Sequence, residues 1–234
     1  MAAYERTIYK DFDKHTIISN QDRERLRLAS HDQVVVIPNG VDSNFTPDPE
    51  LRKPSFDLVF VGNLGYGPNK AAALFLVRKL LPELNRRGLK LSLLLAGARP
   101  GRKIWRLGHQ EGVMVRGWVE DIRDAYRDGR IFVAPMFTGL GLQNKILEAM
   151  SMGLPSVTTS MVNNAINASP GEELLIADTV EGLADHIQRL MEDEGLYKKI
   201  STAARLFVLQ HYVWEDQVKK LETVIQTKNV YAQI

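Results

Sequence analysis

Apolar and polar positions alternate along this chain in blocks rather than residue by residue. Val34-Val35-Val36-Ile37 is β-branched throughout and is stopped by Pro38-Asn39-Gly40, which predicts a strand ending in a tight turn. A shorter strand is expected at Thr16-Ile17-Ile18-Ser19, followed by a helix that Asn20 caps. The polar stretch Tyr4–Lys14 reads as a helix, and residues 48–54, with two prolines, read as a linker. Strands are then expected at Leu58–Val61, Leu91–Leu95, Val113–Val115, Ile131–Val133 and Ser156–Thr158. Between them lie segments of helical period, in which Leu74, Val77, Leu81 and Leu84 share a face. Pro82 falls inside that pattern, so a kink or break is expected near Leu81. Strands apolar on both faces, alternating with helices, predict an α/β domain. It is a Rossmann-like parallel sheet with helices on both faces.

Composition narrows the classes. An apolar fraction of 44% and a charged fraction of 25% are those of an ordinary globular protein. The net charge of +2 gives no reason to expect nucleic acid as a partner. Cysteine is absent, which excludes disulfides and thiolate metal sites. No apolar run approaches the roughly 20 residues of a membrane span. Glu5, Arg6, Lys10 and Asp11 interrupt any leader-like core at the N-terminus. A cytoplasmic protein is expected, peripheral to any membrane it associates with. The five histidines are scattered without ligand spacing, so no metal site is predicted. Neither a Gly-x-Ser-x-Gly elbow nor a phosphate-binding Gly-Lys-Ser/Thr run occurs.

In parallel sheets, ligands bind beyond the carboxyl ends of the strands, so three strand-to-helix loops carry the candidate chemistry. The first is Gly62-Asn63-Leu64-Gly65-Tyr66-Gly67, ahead of a helix expected to start near Asn69. Its glycines permit close backbone approach to an anion, but its spacing is not that of a dinucleotide site. The second is Gly139-Leu140-Gly141-Leu142-Gln143-Asn144-Lys145, running into a helix that contains Glu148. A lysine in a first helical turn opposes the helix dipole, and a docked phosphate would compensate. Glu148 lies one turn beyond Lys145 among apolar neighbours, Ile146, Leu147, Ala149 and Met150. A partner is needed to offset its desolvation, and ribose hydroxyls are suitable ones. An intrahelical Lys145–Glu148 pair is the plainer alternative. The third loop, Gly117-Trp118-Val119-Glu120-Asp121, offers Trp118 or Val119 to cover a nucleobase, although a Trp at a strand end more commonly packs.

These residues resemble the C-terminal, donor-binding domain of the GT-B glycosyltransferases, specifically glycosyltransferase family 4. The resemblance rests on residues 37–42 (Ile-Pro-Asn-Gly-Val-Asp), residues 145–155 and residues 172–176, in that order. Tyr212 and Trp214 follow, with the terminal helix after them. It implies a retaining, hexosyltransferase-type enzyme that takes a nucleotide-diphosphate sugar as donor and needs no cofactor or metal. By the same resemblance Gly62 and Gly65 belong to the diphosphate loop, Gly117–Val119 lie beside the base, and Glu148 holds the ribose as the second glutamate of an E-x7-E motif. Leu140 stands where that motif has its first glutamate, and Asn63 and Pro68 where many members carry an arginine and a lysine. Lys145, in a Gly-x-Gln-Asn-Lys loop, is expected to supply the missing cation. The implied division is a remnant of an N-terminal acceptor domain and linker at 1–40, the nucleotide-sugar-binding domain at 41–210, and a crossing helix at 211–234. The implied partners are the donor, a missing N-terminal acceptor domain, and an acceptor glycan or lipid-linked sugar. No catalytic residue is assigned within the chain, and alone it is expected to transfer sugar poorly. A role in envelope polysaccharide or glycan assembly follows by association. A transferase-like module without catalysis, or a nucleotide-sugar epimerase of the same fold, are the alternatives.

Overall fold

The computed structural model describes residues 11–26, 34–47, 53–139 and 141–226. Residues 4–10 of the expected N-terminal helix and most of the 48–54 linker lie outside these residues, as does Leu140, and residues 11–14 form no α-helix. The described strands are β1 (His15–Ile17), β2 (Val34–Val36), β3 (Phe56–Val61), β4 (Leu93–Ala96), β5 (Val113–Arg116), β6 (Gly129–Ala134), β7 (Ser156–Thr158) and β8 (Leu175–Ile176). The first helices are α1 (Asn20–Arg25), α2 (Gly67–Phe75), α3 (Leu81–Arg86), α4 (Arg102–Trp105) and α5 (Ile122–Arg127). They are followed by α6 (Asn144–Ser151), α7 (Ser160–Ile166), α8 (Val180–Glu192), α9 (Glu194–His211) and α10 (Trp214–Gln226).

Six strands form one parallel sheet in the order β5-β4-β3-β6-β7-β8. Leu58, Val59 and Phe60 of β3 are fully buried, as are Leu93–Leu95 of β4 and Ile131–Val133 of β6. Burial of both strand faces explains the unbroken apolar runs. From β3 the chain winds outward through α2 and α3 to β4, and from β6 it winds the opposite way through α6 to β7. Right-handed crossovers in opposite directions put these helices on opposite faces of the sheet. The strand order therefore reverses between β3 and β6, and the loops after these two strands diverge to leave a crevice.

Local chemistry explains most element ends. Ser19, not Asn20, caps α1, accepting from the Asp22 amide at 3.0 Å. The α2 helix starts at Gly67, two residues before the expected Asn69, because Pro68 has its torsion preset for a first turn and lacks only an N–H that would go unpaired there. The break expected at Leu81 is a π-helical segment, Leu76–Leu80, in which the Leu81 amide donates to Leu76 O. Pro82 then sits in the first turn of α3, where its missing donor costs little.

β1 and β2 form a separate two-stranded parallel sheet. The return to the main domain passes Gly40, where a Cβ would lie 2.6 Å from Trp214, so only glycine fits. Val41 then bridges Val213, its amide donating to Tyr212 O at 2.6 Å.

Candidate functional site

At the crevice between β3 and β6, the first loop is a folded turn rather than an open strap. Asn63 Oδ1 accepts from the Gly65 amide at 3.0 Å, and the Asn63 carbonyl accepts from Asn69 Nδ2 at 3.0 Å. The Asn63 side chain thus shapes the turn. Asn69 is buried, and its other amide atom, Oδ1, accepts from Lys145 Nζ at 2.9 Å. A Cβ on Gly62 would approach Asn69 Nδ2 at 2.9 Å and Lys145 Cε at 3.3 Å. A side chain there would displace the lysine.

The second loop comes from β6. Buried Thr159 donates to Met136 O and fixes its start. Gly139 (φ +117°) and Gly141 (φ +79°) adopt backbone that side chains resist. Gly139 faces Pro68 of the first loop, its would-be Cβ 3.6 Å from Pro68 Cβ. Leu142 is buried, while Asn144 is exposed and accepts from Asn39 Nδ2 at 3.4 Å. Gln143 precedes α6, donating to Gly141 O at 3.3 Å and accepting from Lys145 Nζ at 2.8 Å.

Lys145 is therefore the point where the two loops meet. Its ammonium is held by two neutral amide oxygens and stands 3.3 Å from Met136 Sδ and 5.9 Å from the centre of the Phe60 ring. Part of the residue remains open to solvent while its charged end is largely enclosed. Burial pulls its pKa down to about 8 from the usual 10.5, opposed by the charge of Glu148. Glu148, half-buried, makes no ion pair with Lys145. Its Oε2 accepts instead from the Tyr126 hydroxyl at 2.6 Å. Burial raises the Glu148 pKa, against the opposing pull of Tyr126 and Lys145. A cation held only by neutral groups can accept an anion as a further partner, and a carboxylate with one oxygen engaged can accept a hydroxyl donor at the other.

The third loop lies at the end of β5, two strands from β3. Trp118 is 74% exposed, so it does not pack, and Val119 is half-buried. Asp121 caps α5, accepting from the Arg123 amide at 2.9 Å. Between this loop and the first sits Gly97, which no motif in the sequence marks. Its amide donates to Arg116 O at 3.1 Å and Gly117 O at 3.3 Å. At φ +135°, its would-be Cβ would lie 1.9 Å from Gly62 O. Asn69 and Tyr126 likewise carry no sequence signal that makes them parts of the site. Their roles depend on which loops the fold apposes, although a glycine directly after the apolar run ending at Ala96 was a readable signal for Gly97. Among the described residues no cluster of His, Asp or Glu suited to a metal ion occurs, and no helix is long and apolar enough to cross a membrane.

Comparison with known proteins bears on the family and the fold. The O-antigen chain mannosyltransferase B of Escherichia coli is 29% identical over 97% of this chain and 63% of its own length. One component of the human phosphatidylinositol N-acetylglucosaminyltransferase is 26% identical over 92% of this chain and 45% of its own. The chain thus spans about half to two-thirds of the length of these relatives. Among solved structures, Anabaena Alr3699/HepE, in complex with UDP and glucose, matches with a TM-score of 0.79 at 17% identity, over 97% of this chain and 67% of that one. A glycosyltransferase from Rickettsia africae matches with a TM-score of 0.79 at 20% identity over the same shares. The six-stranded sheet is accordingly that of the GT-B glycosyltransferases. The sequence profile of the family described as glycosyl transferases group 1 matches residues 55–193, which contain all three loops, and the chain belongs to that family.

Proposed function

We propose that this chain is the donor-binding half of a retaining glycosyltransferase that takes a hexose-type sugar from a nucleoside diphosphate. The observation that carries the proposal is the meeting of Gly62, Asn69 and Gln143 on one enclosed ammonium, Lys145, in the first turn of α6. The diphosphate lies across the glycine turns, with its charge shared between Lys145 and the amides at the N-terminus of α6. Glu148 accepts from the ribose, and the Gly117–Val119 segment, with exposed Trp118, covers the base. As the bond between the anomeric carbon and the β-phosphate oxygen breaks, Lys145 balances the charge left on the diphosphate. The acceptor hydroxyl oxygen forms the new bond on the same face of the sugar, and its proton passes to the departing diphosphate oxygen.

The division at 1–40, 41–210 and 211–234 belongs to the same proposal. β1, α1 and β2 are the last elements of an acceptor domain that completes the enzyme. A two-stranded parallel sheet is too small to be stable alone, which supports this. Between this unit and α7 and α9 opens a cleft of about 980 Å³ lined by Arg23, Asn164, His211 and Lys220. The mannosyl- and N-acetylglucosaminyltransferase relatives support transfer to a glycan or lipid-linked acceptor in envelope or glycan assembly. Leu140, at the position of the first motif glutamate, favours as second reading a module that binds donor without transfer. Calorimetric titration with UDP, GDP and ADP tests the site and assigns the base. Absence of binding by all three ends the proposal, and sugar transfer by a longer chain carrying the acceptor domain separates the two readings.

A further inference from the structure

Tyr126 reaches the site only through Glu148, yet its surroundings fix it unusually firmly. The side chain is fully buried, with ring centres 5.7 Å from Phe132 and 6.1 Å from Phe45. A ring packed on two sides cannot move its hydroxyl without disturbing the core. That hydroxyl donates to Glu148 Oε2 at 2.6 Å, with the Lys145 carbonyl oxygen 3.2 Å away. Tyr126 also lies on α5, the helix that Asp121 of the third loop caps, so one short helix connects the loop assigned to the base with the carboxylate assigned to the ribose.

We infer that Tyr126 is a positioning residue for ribose recognition, committing one oxygen of Glu148 so that the other is presented to the donor's ribose hydroxyls. The inference rests on the proposed ribose role of Glu148. A carboxylate on a flexible glutamate otherwise samples several rotamers and can turn toward Lys145, the other charged group that faces it. Tyr126 holds it off that path. The hydrogen bond also opposes the effect of burial on Glu148, favouring the ionised form, which accepts at both oxygens. The consequence is specificity: the chain distinguishes ribo- from deoxyribonucleotides through a side chain that never touches the ligand.

The test is calorimetric titration of wild type, Tyr126→Phe and Glu148→Gln with UDP, GDP and ADP and with their 2′-deoxy and 3′-deoxy counterparts. For the base that binds, wild type is expected to prefer the ribonucleotide by about tenfold or more, the loss typical of one hydrogen bond to a charged acceptor. Tyr126→Phe should weaken the ribonucleotide about fivefold or more and leave the deoxynucleotides within twofold, bringing the ratio toward that of Glu148→Gln. An unchanged ratio in Tyr126→Phe, or equal weakening of every nucleotide, overturns the inference and leaves the ribose role of Glu148 standing. A wild type that binds ribo- and deoxyribonucleotides equally removes both. Should Tyr126→Phe not fold, a crystal structure of the wild-type chain with the same nucleotide decides. Oε2 is expected to remain on the Tyr126 hydroxyl with Oε1 on the ribose, and release of that hydroxyl on binding overturns the inference.

Discussion

Replacing Lys145 by methionine should make the chain more stable and a worse nucleotide binder at once. Methionine keeps most of the apolar stem of the side chain and removes the ammonium together with its hydrogen bonds. The fall of the lysine pKa from 10.5 to about 8 means that the folded surroundings disfavour the ammonium by roughly 3 kcal/mol. Because the folded value lies below the unfolded one, the unfolded chain binds more protons between these limits. Stability should therefore rise with pH from about 8 to 10.5, and below 8 the whole penalty is present. Against this relief stands the loss of two hydrogen bonds, to Asn69 Oδ1 and Gln143 Oε1, each worth about 1 kcal/mol. The remainder is a gain of about 1 kcal/mol, or roughly 2–4 °C in melting temperature for a chain of this size. Binding moves the other way. A charge-assisted contact to phosphate contributes about 1.5–3 kcal/mol, so nucleoside diphosphate affinity should fall by roughly ten- to a hundredfold. In wild type, affinity should also fall about tenfold from pH 7 to pH 9 as the free lysine loses its proton, and in Lys145→Met this dependence should vanish. Ligand-free melting and calorimetry at both pH values measure all three effects. A variant that melts lower than wild type and binds nucleotide equally well would show that Lys145 is scaffolding, and the reasoning fails.

Three further outcomes are expected. Gly97→Ala places a methyl 1.9 Å from Gly62 O at φ +135°, and should cost more than about 3 kcal/mol in urea unfolding. Trp118→Ala removes a 74% exposed ring and should leave urea stability within about 0.5 kcal/mol, while calorimetry should show nucleotide binding weakened by about 1–3 kcal/mol. Undiminished affinity would locate the base elsewhere. Tyr212→Phe deletes a buried hydroxyl that donates to Ile166 O at 2.7 Å, so unfolding should be easier by about 1–3 kcal/mol with nucleotide affinity unchanged.

Much of the sheet was legible because its central strands are buried on both faces and so need apolar residues at every position, as at Leu58–Val61 and Ile131–Val133. The break near Leu81 was readable from Pro82, since a missing donor has consequences that do not depend on tertiary context. Boundaries were harder. Ser19 and Asn20 are both good caps, and only the backbone torsions of Ser19 decide between them. The chemistry of the second loop was visible as a lysine at a position its own helix disfavours, but the neighbours of that lysine were not. Asn69 precedes Lys145 by 76 residues, and Tyr126 precedes Glu148 by 22. Such pairings arise from strand order, which no local pattern of side chains contains. The alternative pairing of Lys145 with Glu148 along one helix does not form, and these longer-range partners stand in its place.

The bridge between Val41 and Val213 has a mechanical consequence. Polypeptide arrives at the large sheet and departs from it through one spot, where Val41 meets Val213 and Trp214 is wedged against Gly40. Tension applied to the two flanks is borne first by that clasp, leaving the six strands behind it unloaded. A body joined to both flanks could swing about the clasp as on a pin while the crevice between β3 and β6 keeps its shape.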